Sequence, residues 1–541
     1  MQIEQIKLEK ENPTLTAYRN HNKVMMDQFD YSPFQDETDW LRLKDLMEKD
    51  FNRNQLVDVL IDMNKKWNAP TKTFEQLQRL TDSNSVVVIG GQQAGLLTGP
   101  TYTINKIISI VTLAKQKQEK LGVPVVPVFW IAGEDHDFEE INHIFTEDVH
   151  GMKKERIGHR VTEKMSASHL IMDKSYANKW VANIFNQLGE TEYTYDLYMS
   201  IQQIIQDAET YVDFFARLVH QLFHEEGVVL IDSGDHSIRK LERDHFKTII
   251  ENQEVMSKGV YQALQAQSQN GFGIPLDIEE TDAHLFYHKD GERILLKRTE
   301  KGEWEGKQKE CTFTTEELLH IASEKPELLS NNVVTRPLMQ ELLFPTIAFV
   351  AGPGEISYWS VLKPAFACIG LKMPPVVPRI SLTFMSRGVS KQLENLSIQP
   401  ESAINNGVLA KKMSWLSAQT SPPIQTMIEQ FKQILCDSHQ PLREVAKDIR
   451  PDLGELAEKN ISYLMRDIDY LEKRLMDAVQ ERVKDQLVKF DTIETMLHPR
   501  NGLQERTWNI LAFINEYGPS FIQELTKRTY NEEAKHFIVY L

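Results

Sequence analysis

The chain repeatedly drives a short apolar run straight into polar, glycine-rich text. The stretch "VVVIGGQQAGLLTGP" starts the pattern at Val86. Four more runs behave alike: Val123–Ile131, Val228–Asp232, Thr346–Ala351 and Pro375–Ile380. Their apolar character is continuous, not alternating, so both faces of each strand must be covered. Helical patterns at Ile104–Lys115, Tyr211–Glu226 and Tyr358–Cys368 supply the covering layers. Together these features predict an α/β fold with a doubly wound parallel sheet.

The gaps between runs are uneven, and the two longest exceed a simple crossover. They predict insertions at about 145–215 and 255–335 in a core spanning 1–386. The second contains "HLFYHKDGERILLKR", two strand-like segments about Asp290–Gly291, a hairpin signature. From Arg387 to about His498 strand signals vanish. Ile461, Leu464, Ile468, Leu471 and Leu475 step by three and four, as a coiled-coil seam does. Ile424, Met427, Ile428, Phe431, Ile434 and Leu435 offer an antiparallel partner across the Pro441–Pro451 region. The segment 387–498 is therefore expected to be a helical arm. Such an arm could be an internal hairpin, a dimer contact, or both, and 499–541 is expected to return to the core.

Acidic residues outnumber basic ones, 78 to 61 over 541 residues, a net charge of −17. That balance argues against nucleic acid or an anionic membrane as partner. Three widely spaced cysteines, Cys311, Cys368 and Cys436, form no CxxC pair, so neither a disulfide framework nor a cysteine-rich metal site is expected. No metal is predicted. The first twenty residues lack the apolar core of a secretory signal, and no run of 18 apolar residues occurs. These features predict a cytoplasmic protein.

Open α/β sheets bind ligands at the carboxyl ends of their strands, and all five ends here are polar. After the first run stand Gln92, Gln93 and Thr98. The Walker lysine and the GxGxxG spacing are both missing, so neutral donors for a carboxylate, hydroxyl or amide are expected. The alternative is a tight glycine turn with no ligand. The second run ends in "GEDHDFEE". Asp135, His136 and Asp137 are candidates for acid–base work, while Glu139 and Glu140 read as helix-start acids. Asp232 and Ser233 follow the third run, as ligand groups or as an Asx-type turn. Glu355 and Tyr358 follow the fourth and Arg379 the fifth, with Arg336 upstream as a carboxylate clamp.

The stretches "GGQQAGLLTGPTYTINKI", "PVFWIAGEDHDFEEI", "NVVTRPLMQELLFPTIAFVAGPGEISYW" and "LHPRNGLQERTWN" resemble the cysteine ligases, or cysteine-adding enzymes, of bacillithiol biosynthesis. The resemblance covers nearly the whole chain. It implies a Rossmann-type core with connecting-peptide insertions and a coiled-coil domain that contributes to a homodimer. It also implies the last step of that pathway, joining the carboxyl group of L-cysteine to the amine of glucosaminyl-malate. Such a step implies a cysteine carboxylate activated by ATP, so ATP or ADP is the expected nucleotide. The His-x-Gly-His and Lys-Met-Ser-Lys-Ser stretches of tRNA-synthetase-type ligases are absent at Gly91–Gly95 and Pro378–Lys391. Nucleotide is instead expected near Arg500, Asn501, Gln504, Arg506 and Trp508, where a domain-junction turn is the plainer alternative. A non-catalytic dimer whose cleft senses a small polyacid is the alternative function.

Overall fold

A computed structural model describes all residues except 149–150, 162–164, 421–422 and 532–534. The chain divides into two compact units, Met1–Phe384 with Gln504–Leu541, and Met385–Leu503. A single parallel sheet organises the first unit. Its strands are β1 (Val86–Gln92), β2 (Val125–Ile131), β3 (Val229–Asp232), β4 (Thr346–Ala351) and β5 (Val376–Pro378). All four pairings are parallel, in the order β5-β4-β1-β2-β3. Every residue of β2, β3 and β4 is buried, as continuous apolar runs require. The order reverses between β1 and β4, the switch point where such sheets open a crevice.

Helix α1 (Tyr102–Leu121) returns from β1 and buries Ile104, Ile107, Ile108 and Val111 in the core. It ends at Gly122, whose positive φ of 67° suits a left-handed cap. The Gly90–Gly91 pair has a steric cause. A Cβ on Gly90 would lie 2.8 Å from the Val350 carbonyl oxygen, and one on Gly91 2.6 Å from that of Trp130. Only glycine lets β1 run this close to both neighbours.

Both insertions carry their own sheets. The first holds the antiparallel pair His143–Asp148 and Gly151–Arg156 and three helices between Lys174 and Leu222. The second holds a five-stranded antiparallel sheet whose hairpin, Asp282–Lys289 and Glu292–Arg298, turns on Asp290 and Gly291. Both turn residues have positive φ, 51° and 86°, as a two-residue hairpin demands. The first strand, Gln2–Ile6, pairs with the last, His536–Tyr540.

The second unit is helical, following Met385, the final residue of strand Leu382–Met385. Its two long helices are α5 (Ile424–Ile449) and α6 (Pro451–Arg482), joined at Arg450, with shorter helices on either side; α2 (Phe138–Ile141), α3 (Thr335–Leu343) and α4 (Pro353–Trp359) belong to the first unit. Ile428 on α5 and Ile461, Ile468 and Val479 on α6 are buried, and His439 meets Asn460 at 3.1 Å. The expected seam is corrected in part. Leu471 and Leu475 are exposed, as are Met427, Phe431 and Ile434. A two-helix hairpin covers one stripe per helix, and these residues lie on the other. Pro441 sits inside α5, not in the turn. No helix among the described residues is long and apolar enough to cross a membrane.

Candidate functional site

The end of β1, the turn after β2, the α3 helix (Thr335–Leu343), the α4 helix (Pro353–Trp359) and the segment after β5 enclose one cleft of about 380 Å³. This is within the range of small-molecule sites. Gln92, Gln93, Asp135, Arg336, Glu355, Tyr358, Arg379 and Arg506 all line it. The structure thus brings together residues from four of the five strand ends.

Much of the charge in this cleft is matched in pairs. Lys106 of α1 is almost wholly buried and donates to the Gly91 carbonyl (2.6 Å), Gln92 Oε1 (3.2 Å) and Glu355 Oε2 (2.6 Å). Burial holds its amine below the ordinary lysine range, against the pull of Glu355. Glu355 also accepts from the Gly352 N–H at 2.6 Å, closing the Gly-Pro-Gly turn. Lysine 106 lies sixteen residues beyond Gly90, on a helix face, and no local motif singles it out.

A second ionic group backs the cleft. Arg336 donates through Nε to Glu134 Oε1 (2.7 Å) and through NH2 to Asp135 Oδ1 (2.8 Å). Arg239 holds the other Glu134 oxygen and also reaches Glu242 (2.7 Å). Arg293 of the inserted hairpin reaches Asp135 at 3.2 Å, its guanidinium 3.8 Å from the Phe286 ring centre. Burial opposes ionisation of Asp135, but Arg336 and Arg293 outweigh it and hold the carboxyl below its usual range. Asp135 is therefore an ion-paired carboxylate that faces two arginines.

The third group comes from the far end of the chain. Arg379 binds Glu505 through two nitrogens, at 2.7 and 2.6 Å, and Asn105 donates to Glu505 Oε2 at 2.9 Å. Burial resists the charge on Glu505, yet Arg379 brings the carboxyl down to about 2. Asn509 donates to the Leu97 and Gly99 carbonyls at 2.8 and 2.6 Å. That pins three successive left-handed residues, Leu97, Thr98 and Gly99, with φ of 49°, 72° and 67°.

Several expected residues lie elsewhere. Thr98 is fully buried by that left-handed turn and is not part of the cleft lining. Asp232 accepts from the Ser168 hydroxyl (2.8 Å) and the Gly234 N–H (2.9 Å), and Ser233 donates to the Ile131 carbonyl. Both are buried and serve the strand-end turn. Burial pushes the Asp232 carboxyl up to about 7. His136 packs edge-on to Phe286 and lies 3.7 Å from Asp137, and neither residue lines the cleft.

The expected nucleotide cluster is divided as well. Arg500 and Asn501 belong to the second unit, in a turn where both have positive φ. Gln504 is buried and clamps the Phe384 backbone at both its N–H and its carbonyl. Trp508 is buried against Phe513, so it offers no open stacking face. Of the five, only Arg506 reaches the cleft. Among the described residues no group of three His, Cys, Asp or Glu side chains is arranged to hold a metal ion.

A 3-2-1-4-5 parallel sheet with a charged cleft at its switch point defines a Rossmann-like small-molecule-binding protein. Its particular kind follows from comparison with known sequences: the chain belongs to the bacillithiol biosynthesis BshC family. Residues 1–380 match the family's N-terminal Rossmann-like domain, and 382–541 match its C-terminal coiled-coil domain. Proteins named "Putative cysteine ligase BshC" are similar over their whole length. That of Oceanobacillus iheyensis is 40% identical, that of Bacillus licheniformis 39% and that of Halalkalibacterium halodurans 41%, each with 100% of both chains covered.

Proposed function

We propose that this chain is a ligase that joins L-cysteine to the amine of glucosaminyl-malate, forming an amide C–N bond as the last step of bacillithiol biosynthesis. One observation carries the reading: full-length similarity to named cysteine ligases coincides with one polar cleft at the sheet's switch point. Lys106 occupies the Gln92 carbonyl oxygen, which leaves the Gln92 amide N–H groups to donate. They suit a malate carboxylate. Tyr358 is raised well above the ordinary phenol range by burial and by Glu355, so it stays protonated and donates too. Arg336 and Arg379 are held rigid by their acids and form preorganised walls.

ATP would supply the activation that turns a cysteine carboxylate oxygen into a leaving group. The donor set fits an anionic phosphate: Arg506 has no acid partner among the described residues, and the Gln92 amide and Tyr358 hydroxyl face the same space. The exposed apolar residues Met427, Phe431 and Ile434 on α5 and Tyr463, Tyr470 and Leu471 on α6 support a homodimer built through the arm. Three free thiols, Cys311, Cys368 and Cys436, support a reducing cytoplasm.

The test is direct. Purified full-length protein is incubated with L-cysteine, glucosaminyl-malate and ATP, and the thiol product is read by mass spectrometry beside nucleotide consumption. Product formation dependent on all three is expected. A folded protein that yields no thiol product and consumes no ATP would overturn the reading.

A further inference from the structure

Three acids line the cleft, and two of them are already matched by cations. Asp135 carries Arg336 and Arg293, and Glu355 carries Lys106. Glu140 is different. It sits on the short α2 turn (Phe138–Ile141), is exposed, and has no cationic partner among the described residues. Its one side-chain bond among the described residues is from Gln93 Nε2 to Glu140 Oε2, at 2.9 Å. Gln93 belongs to the turn after β1, so this bond ties α2 to the cleft wall and aims the carboxylate along it.

The cations show the complementary pattern. Lys106, Arg336 and Arg379 are paired, while Arg506 faces the same cleft without an acid. Glu140 and Arg506 do not pair with each other either, although both are ionic and both line one space. Tyr102 lines the same cleft. Burial pushes its phenol up, and Arg379, Arg506, Glu140 and Glu355 all act on it, so these charges gather about one hydroxyl. A helix-start acid needs no such surroundings, and α2 is only four residues long.

We infer that Glu140, aimed by Gln93, is the residue of this cleft that receives a substrate's primary ammonium group. This rests on the proposed ligase reading, which supplies two sources of that chemistry: the α-ammonium of an amino acid and the ammonium of an aminosugar. A carboxylate held by a neutral amide has no counter-charge from that contact and still has acceptor sites for an N–H₃⁺ donor. The charges of the matched acids are offset by arginine and lysine.

The test uses full-length protein and the variants Glu140→Gln and Glu140→Asp. Calorimetric titration compares L-cysteine with 3-mercaptopropionate, and glucosaminyl-malate with its N-acetylated form. Wild type should prefer the ammonium-bearing member of at least one pair by about five- to tenfold. Glu140→Gln should abolish that preference, and Glu140→Asp should restore part of it. In turnover, Glu140→Gln should raise KM for the same substrate. The pair affected identifies the source of the ammonium. Wild type without preference, or Glu140→Gln with its preference intact, would overturn the inference. Because binding is read without turnover, absence of ligation in the wild type counts against the ligase reading alone. Thermal melting matched to wild type separates either result from misfolding.

Discussion

At the residue scale, the site is a set of buried charges that each depend on a partner. Lys106 is the sharpest case. Lys106→Met leaves Glu355 beside the cleft with no counter-charge, and such a broken pair costs about 3–5 kcal/mol. Urea unfolding should show that loss, and ligation should fall with it. Retained stability and activity would contradict the role given to Lys106. Asp232 makes a prediction about pH. Its carboxyl titrates at about 7 in the fold against 3.8 as a free side chain. Between those values the folded chain holds a proton that the unfolded chain has released, so stability falls as pH rises through the window and levels off above it. Asp232→Asn removes that term while keeping an oxygen for Ser168 and Gly234. It should be more stable than wild type at pH 8, by on the order of 4 kcal/mol, with the advantage shrinking toward pH 4. Thermal melts across pH check this, and a pH-independent difference would contradict it.

At the scale of elements, what the sequence made legible follows from periodicity. The five strands could be read because a strand covered on both faces must be continuously apolar. The Asp290–Gly291 hairpin could be read because its turn demands positive φ. Gln92, Gln93, Arg336, Glu355, Tyr358 and Arg379 could be placed because they lie at or beside strand ends. Lys106, Arg293 and Glu505 could not, because their partners lie 249, 158 and 126 residues away. Thr98 was misplaced because three left-handed residues in a row turn it inward, and their cause, Asn509, lies over 400 residues downstream. The arm seam blurred because α5 and α6 carry apolar residues on two faces each, so spacing alone cannot say which face the hairpin uses. Ile468→Asp tests the covered face. Burying an unpaired carboxylate should lower helix melting of the arm by about 3 kcal/mol, read by far-ultraviolet circular dichroism. The control Lys473→Asp, at an exposed position already polar, should leave that melt within about 0.5 kcal/mol of wild type.

At the scale of the whole molecule, the uncovered apolar face of the arm bears on assembly. On the proposed homodimer, Phe431→Glu together with Tyr470→Glu should leave each chain folded but shift sedimentation toward monomer. An unchanged sedimentation profile would contradict a dimer through that face. The central claim concerns the switch-point cleft, where residues from six separated stretches of chain meet. The most direct measurement is a crystal structure of the full-length protein soaked with glucosaminyl-malate. The account predicts ligand density between Gln92, Arg336, Glu355 and Arg506, within the cleft at the ends of β1 and β4. Ordered ligand bound elsewhere, with that cleft empty, would contradict it.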